Sequence, residues 1–593
     1  MIEGANTLPA SFSADSSVVE TGPFGQRAHR DHLAHTNRFT RKLWEVCDGV
    51  WCLVGNGLSN QTFVEGPDGL IVIDTGESNE EMTAALAEVR TVTRAPVAAV
   101  ICTHFHYVAG TEAVFDEAGA EVPIWGHAGI EENLKRVGVE LSAAAGRGLV
   151  HQFGMMLPGP NDHDPDGVPD GLVNVGLGLE YRSDDHAPFT VGFVPPTRTF
   201  TEPTTATIAG LTVDFTPAPS DADDSITIWF PELSVCVNNL VWPALFNIFP
   251  IRGEEYRDPR ILLNGIDHIA ALQPDHLVGA HGPPLSGRDE IGQEVEVYRD
   301  SIQFLWDQTV RGINRGLIAD ELTHVVQLPP DYGQTFRTQQ LYGLVEHHVR
   351  QIHNGLRGWF DGDEAKLFPV PRPERCSRLI EGFGGAEEVR SQARAALDDD
   401  DVRWAIELAS WLVHQGGEPG GGSRSAEAED KSLLATALRT AGQRTTSANV
   451  RNWCLTRALE LDGVLSLDRY RVPRFGYRQM MTGDPHTFVR ALRLTLDPEL
   501  AAGLNTHVGF AFDGEQPTIG LHIRRGVAVP TDGSRGDNVV KSSREGWARL
   551  LSGRSALDEV LAEGAVELNG DPAVIRSALG CFDVGGLTST GRR

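Results

Sequence analysis

Residues 97–110 read VAAVICTHFHYVAG, and the fold turns on how that run ends. Its first half is a continuous apolar stretch, the pattern of a strand buried on both faces. Its second half breaks into Thr103-His104-Phe105-His106, so the strand delivers two histidines to its C-terminal edge, where open α/β sheets place their chemistry. Upstream, NQTFVEGPDGLIVIDTG (60–76) reads as strand runs joined by the Pro67-Asp68-Gly69 turn. Between the two, SNEEMTAALAEVRTVT has helical spacing with Ser78 as N-cap. Strand, helix and strand make an α/β unit.

Working outward, residues 158–196 are dominated by glycine, proline and aspartate, which predicts a long loop or lid. The strand pattern resumes in ATIAGLTVDFTPAP (206–219), SITIWFPELSVCVNN (225–239) and DHLVGAHGPP (275–284), with helical EYRDPRILLNGIDHIAAL (255–272) between them. From 293 to 360 the periodicity is helical throughout. Past Pro371 and Pro373 come the amphipathic helix pattern of residues 384–415, the flexible QGGEPGGGSRS (415–425) and two further helices to about Leu461. A last region mixes helices (PHTFVRALRLTL, GWARLLSG, ALDEVLAEG) with alternating strands (THVGFAF, TIGLHIRRGVAV), an α+β pattern.

The 593 residues carry 41% hydrophobic and 22% charged side chains, ordinary for a folded globular chain of several domains. A net charge of −30 argues against a nucleic-acid backbone or an anionic membrane surface as partner. Seven scattered cysteines without a C-x-x-C pair imply neither a disulfide framework nor a zinc knuckle and fit a reducing compartment. The N-terminus lacks a basic stretch followed by an apolar one, and nowhere do 18 apolar residues run together. The expectation is a cytoplasmic protein without a membrane span.

Two histidines two apart at a strand end present both imidazoles to one metal ion. With IVIDTG upstream, Gly110 just after and a further histidine in GAHG at 281, the pattern resembles the metallo-β-lactamase superfamily. TFVEGPDGLIVIDTG, FPELSVCVNNLVWPALFNIFPIRG (230–253), YGLVEHHVRQIHNGLRGWFDGDEAKLFPVP (342–371) and GGAEEV are similar to the alkyl sulfatase branch, over nearly the whole chain. The resemblance implies an αββα metallo-β-lactamase sandwich over 1–365, an all-α dimerisation domain over 366–470 and an α+β sterol-carrier-like domain over 471–593. It also implies a homodimer.

The metal motif departs from the family's. Where the family continues with Asp-His, this chain reads His106-Tyr107-Val108-Ala109-Gly110, as though two residues were deleted after Tyr107. The positions matching the family's two metal glutamates are Asp221 and Asn239, and His281 stands at its last metal histidine. The resemblance therefore leaves His104, His106, Asp221 and His281 as candidate ligands, a set for one zinc ion rather than two. Two histidines and one carboxylate also make the facial set of non-haem iron(II) enzymes, so iron is the alternative. Arg252 matches a family arginine and, with Asn247 assisting, is the candidate for an anionic substrate group, because a guanidinium fork suits sulfate, phosphate or carboxylate.

The expected activity is metal-dependent hydrolysis of an anionic, alkyl-bearing ester such as an alkyl sulfate, with no side chain assigned as the acid or base. The alkyl part of that expectation rests on the family alone. A repurposed mononuclear enzyme performing an oxidative, lyase or rearrangement step on a small metabolite is the alternative, and a non-catalytic dimeric binding protein a third. Among the remaining residues, Asp162, Asp164, Asp166 and Asp170 spell half of a calcium loop, but position twelve is Val173 and prolines interrupt it, so a solvated acidic lid is expected. The spacing of His151 and His163 makes neither a replacement ligand. Asp74 is expected to orient a metal-site histidine or loop backbone, Tyr107 to pack in the core or point into the site, and His347 and His348 to be structural or on the surface. The aspartates of 398–401 should face solvent at a helix junction.

Overall fold

A computed structural model describes residues 11–139, 141–159, 167–416, 426–470, 475–513 and 518–587. They fall into two compact units, one of residues 1–134 and 148–466, the other of 135–147 and 467–593.

The first unit opens with a short antiparallel pair, β1 (Val19–Thr21) and β2 (Arg27–His29). A seven-stranded sheet follows: β3 (Lys42–Cys47), β4 (Val50–Val54), β5 (Gln61–Gly66), β6 (Gly69–Ile73), β7 (Val97–Ile101), β8 (Ile124–His127) and β9 (Arg198–Phe200), in sequential order. β3 to β6 pair antiparallel, β6 to β9 parallel. The second sheet, of β10 (Thr204–Ile208), β11 (Leu211–Pro217), β12 (Ile226–Phe230), β13 (Val235–Asn238), β14 (His276–Gly279) and β15 (Leu285–Ser286), is antiparallel except for the β13–β14 pair.

The facing surfaces of the sheets share one hydrophobic core, in which Ile71, Ile73, Ala99 and Ile101 meet Val213, Phe215, Ile228 and Val237. Outside the first sheet, Met82, Ala85 and Leu86 of helix Asn79–Val89 and Val114 of Thr111–Ala118 pack on Leu70, Val72 and Val100. Outside the second, Pro259–Leu272, Arg288–Asn314 and Val345–Arg357 bury Ile266, Tyr298 and Val349. This is the αββα sandwich expected. β7 is apolar throughout because both its faces are covered.

The helical periodicity of 293–360 is carried by separate helices and not throughout. Helices end at Asn314 and Val325, and the next begins at Val345, with single 3₁₀ turns at Pro330–Gln334 and Phe336–Thr338 between. Pro329 and Pro330 keep the helix from resuming, by removing donors and restricting the preceding residue. Further on, Arg372–Gly382, Ala386–Asp398, Val402–His414, Ala428–Arg444 and Ala448–Leu461 bundle around Val389, Leu408, Leu412 and Ala458. Residues 398–401 are exposed at a helix junction, where Asp401 caps Val402–His414 by accepting from the Trp404 N–H and Asp400 takes an Arg444 hydrogen bond at 2.7 Å.

The second unit is α+β. β16 (Asn505–Phe512), β17 (Ile519–Arg524), β18 (Val527–Thr531), β19 (Val539–Ser542) and β20 (Val566–Asn569) form one sheet in the order β18-β17-β16-β19-β20. Helices Arg544–Leu551, Leu557–Ala562 and Pro572–Leu579 contribute Trp547, Val560 and Ile575 to the core on that sheet. All seven cysteines are free thiols. Among the described residues no helix is long and apolar enough to cross a membrane.

One buried histidine of the first unit gives its stability a pH dependence. His35 Nε2 donates to the Gly176 carbonyl at 3.0 Å and Nδ1 accepts from Arg38 at 3.3 Å, so the neutral ring is fully used. Burial, with Arg38 adding to it, holds its pKa down to about 4. Between that value and the unfolded ~6.5, only the unfolded chain takes the proton. Its contribution is therefore complete above pH ~6.5 and is lost as pH falls toward 4, by up to about 3 kcal/mol. His35→Gln, which keeps the donor, should shrink the drop in unfolding midpoint between pH 7 and pH 5. An undiminished drop would assign that drop to other groups.

Candidate metal centre

β7 ends at Ile101, and the chain turns through Cys102 and Thr103 before His104, in extended conformation, and the 3₁₀ turn Phe105–Tyr107. That turn puts the His104 and His106 rings edge to face, centroids 4.9 Å apart. Gly110 lets the return segment close on the loop after β6, since a Cβ there would lie 2.2 Å from the Thr75 carbonyl.

Asp221, on the loop between β11 and β12, enters from the second sheet. Its Oδ2 is 3.2 Å from His106 Nδ1, and its Oδ1 is 3.8 Å from His104 Nε2. One donor atom from each of the three lies within 4.8 Å of the others. A tetrahedral ion with bonds of ~2.0–2.1 Å holds its ligands roughly 3.3 Å apart, so the three side chains fit one metal ion.

The electrostatics agree. Burial works against charge on His106, but Asp221 and Glu254 overcome it and lift its pKa to about 9. Burial likewise opposes charge on Asp221, yet the two histidines hold it well below the usual carboxylate range. Burial lowers His104 to about 3 and keeps it neutral. A neutral imidazole and a charged carboxylate are the ligand states a metal requires, and His106 reaches its own by giving up a proton as the ion binds.

His104 is oriented from behind. Its Nδ1 lies 2.8 Å from Thr103 Oγ1, which in turn donates to Asp74 Oδ2 at 2.7 Å, and Asp74 Oδ1 accepts the Thr103 N–H at 2.8 Å. The relay places the ring proton on Nδ1 and leaves Nε2 facing Asp221. Asp74 thus performs the orienting role expected for it. Thr103→Val, of equal size but without the hydroxyl, should weaken metal binding about 10–100-fold in a chelator competition, and unchanged affinity would contradict the relay.

The remaining sequence candidates are outside the three-residue cluster, with His281 beside it through Tyr107. His281 is not in the three-residue cluster: its Nδ1 hydrogen-bonds the Leu58 carbonyl at 3.0 Å and its Nε2 meets Tyr107 Oη at 3.2 Å. With the ring proton on Nδ1, the Tyr107 hydroxyl donates to Nε2. Tyr107, buried and edge-on to both His104 and His281, combines the two fates weighed for it. Asn239 is occupied internally, its amide donating to Asp221 Oδ1 at 2.6 Å while its oxygen accepts from Trp242 Nε1 at 3.1 Å.

Arg252 is paired with a carboxylate of its own chain. Its Nε donates to Glu254 Oε1 at 3.0 Å and its Nη2 to the same oxygen, while Arg257 Nη2 reaches Glu254 Oε2. Glu254 Oε1 also lies 3.8 Å from His106 Nε2. Asn247 is buried one step away, its Oδ1 3.3 Å from His348 Nε2 and its carbonyl taking Arg257 Nη1 at 2.7 Å. His348 is therefore structural and not on the surface. Glu254 is marked in the sequence only by the Glu254-Glu255 pair directly after Arg252-Gly253. The acidic lid residues of 160–166, His163 included, lie outside the described residues. Asp170 pairs with Arg439 at 2.7 Å and His151 Nε2 lies 3.3 Å from Glu460, so neither joins the metal centre.

A sandwich with two histidines and an aspartate gathered beside the strand ends makes a candidate metal-binding fold, and comparison with known proteins specifies its class. Residues 54–236 match the metallo-β-lactamase superfamily and 318–463 the alkyl sulfatase dimerisation family. A linear primary-alkylsulfatase of Pseudomonas sp. (strain ATCC 19151) is 32% identical over 540 residues, 88% of this chain and 98% of that one. An (R)-specific secondary-alkylsulfatase of Pseudomonas sp. is 28% identical over 571 residues, 93% of this chain and 82% of the other. Among solved structures, a double mutant of the sec-alkyl sulfatase PisA1 superposes with a TM-score of 0.80 at 26% identity, covering 95% of this chain and 88% of its own. The chain belongs to the alkyl sulfatase family of the metallo-β-lactamase superfamily. It is an enzyme of the sulfatase-like hydrolase type, and its superfamily implies a bound metal.

Proposed function

We propose that this protein hydrolyses alkyl sulfate esters with a single zinc ion held by His104, His106 and Asp221. The observation that carries the reading is the convergence of those three donors, whose spacing suits one ion. Zinc held by these residues would supply Lewis acidity at neutral pH toward water and the sulfate ester. The protein's own groups do the rest. Thr103 and Asp74 hold His104 in one tautomer, and Arg252 receives the anionic head of the ester.

Two features favour one ion over two. Nε2 of His281 is taken by the Tyr107 hydroxyl, and Asn239, standing where the family has a carboxylate, spends both ends of its amide on Trp242 and Asp221. The same two-histidine, one-carboxylate set also suits iron(II), and elemental analysis decides between the metals. The activity test is release of inorganic sulfate from a medium-chain alkyl sulfate by the metal-loaded protein. Turnover supports the reading, and a metal-loaded protein that releases none rules it out.

We also infer a homodimer. Within the stretch matching the dimerisation family, Trp359 is 71% and Phe368 87% exposed, with Leu356, Leu367 and Val370 exposed beside them in sequence. A run of uncovered apolar side chains is the mark of an interface. Trp359→Glu with Phe368→Glu should convert a dimer in sedimentation velocity to a monomer, and an unchanged dimer would place the interface elsewhere.

A further inference from the structure

Arg252 and Arg257 converge on one point, and the chain already fills it. Glu254 gives one oxygen to Arg252 and the other to Arg257, and the first also lies 3.8 Å from His106 Nε2. Although the Glu254 backbone reaches solvent, its side chain is only 19% exposed, so the carboxylate is turned inward. Two guanidinium groups and an imidazole surround a single carboxylate. Next to it, Arg257 Nε is buried without a hydrogen-bond partner, so this guanidinium keeps a donor that Glu254 does not use.

We propose that Glu254 is the chain's own occupant of the anion position, a specificity-determining residue that competes with the substrate's anionic head for Arg252 and Arg257. The inference rests on the reading that Arg252 receives that head. An anion entering the site must displace the carboxylate from Arg252, and a tethered competitor is always present at high effective concentration. Free small anions are thereby held off, and only an ester whose remaining contacts supply further binding free energy displaces Glu254.

The test is calorimetric titration of the full-length, metal-loaded protein with inorganic sulfate at constant ionic strength. Glu254→Ala should bind sulfate at least ~10-fold more tightly than the parent, with Glu254→Gln between them. Adding Arg252→Ala to Glu254→Ala should erase the gain. The proposal is overturned if both single variants keep the parent's near-UV circular dichroism yet bind sulfate no better. Should the alanine variant fail to fold, the isosteric glutamine variant decides alone. A gain that persists without Arg252 overturns it too, because the anion then sits elsewhere. Sulfate release from an alkyl sulfate, recorded on the same preparations, separates the two readings. Tighter sulfate binding without turnover in any variant leaves Glu254 in place and removes the hydrolase reading, while turnover by the parent without a gain in the variants does the reverse.

Discussion

Asp221→Asn should strip the metal from the protein and lower kcat/KM for an alkyl sulfate by a factor on the order of 10³ or more, about 4 kcal/mol of transition-state stabilisation. Asp221 is the one carboxylate of the three-donor cluster, reaching toward His104 Nε2 with one oxygen and His106 Nδ1 with the other. The amide that replaces it carries no charge to offset a divalent cation, and two imidazoles alone do not retain zinc well. Asn239 is in no position to compensate, because its own amide is committed to Trp242. The protein should stay folded, since Asp221 belongs to a loop and not to the core between the sheets. Metal analysis and turnover on one preparation check the prediction, and a variant that keeps both removes Asp221 from the site.

The second large effect is expected at Arg252. Arg252→Ala should reduce kcat/KM for an alkyl sulfate by roughly 10²–10³, the scale of losing a charge-assisted contact to a developing charge. The change also leaves Glu254 with Arg257 as its remaining guanidinium partner, so a repelling carboxylate stays near the incoming anion. Arg252→Lys should recover only part of the loss, because an ammonium reproduces the charge but not the planar fork. Metal content should be unaffected in both variants, which distinguishes substrate recognition from damage to the metal centre. Equal turnover by Arg252→Ala and the parent would show that the anion is held by other groups.

The parts of this site written in local chemistry were legible in the sequence. An apolar run ending in His-x-His predicts a buried strand presenting two imidazoles, and β7 with His104 and His106 does so. Asp221 carried no local signal: it stands among other acidic residues in DADDS and was singled out by family resemblance alone. Contacts, not burial, set it apart, for Asp224 is the more buried, while Asp221 turns to the histidines and Asp223 accepts from Asn133 at 2.6 Å. His281, named by resemblance to the family's last metal histidine, has its Nε2 bonded to the Tyr107 hydroxyl, a contact that is invisible along the chain. Arg252 looked free for the same reason. Its carboxylate partner sits two residues on, and whether such a neighbour folds back or faces solvent is set by Arg257 and His106, from other points on the chain. In 293–360 the helical period persists in the side chains, whereas the prolines at 329 and 330 govern the backbone.

The most direct test of a one-metal centre on His104, His106 and Asp221 is the number of ions per chain. Elemental analysis of the protein purified without added metal, beside its His104→Ala, His106→Ala variant, should give one zinc per chain in the parent and none in the variant. Two ions per chain in the parent, or one retained by the variant, would contradict it.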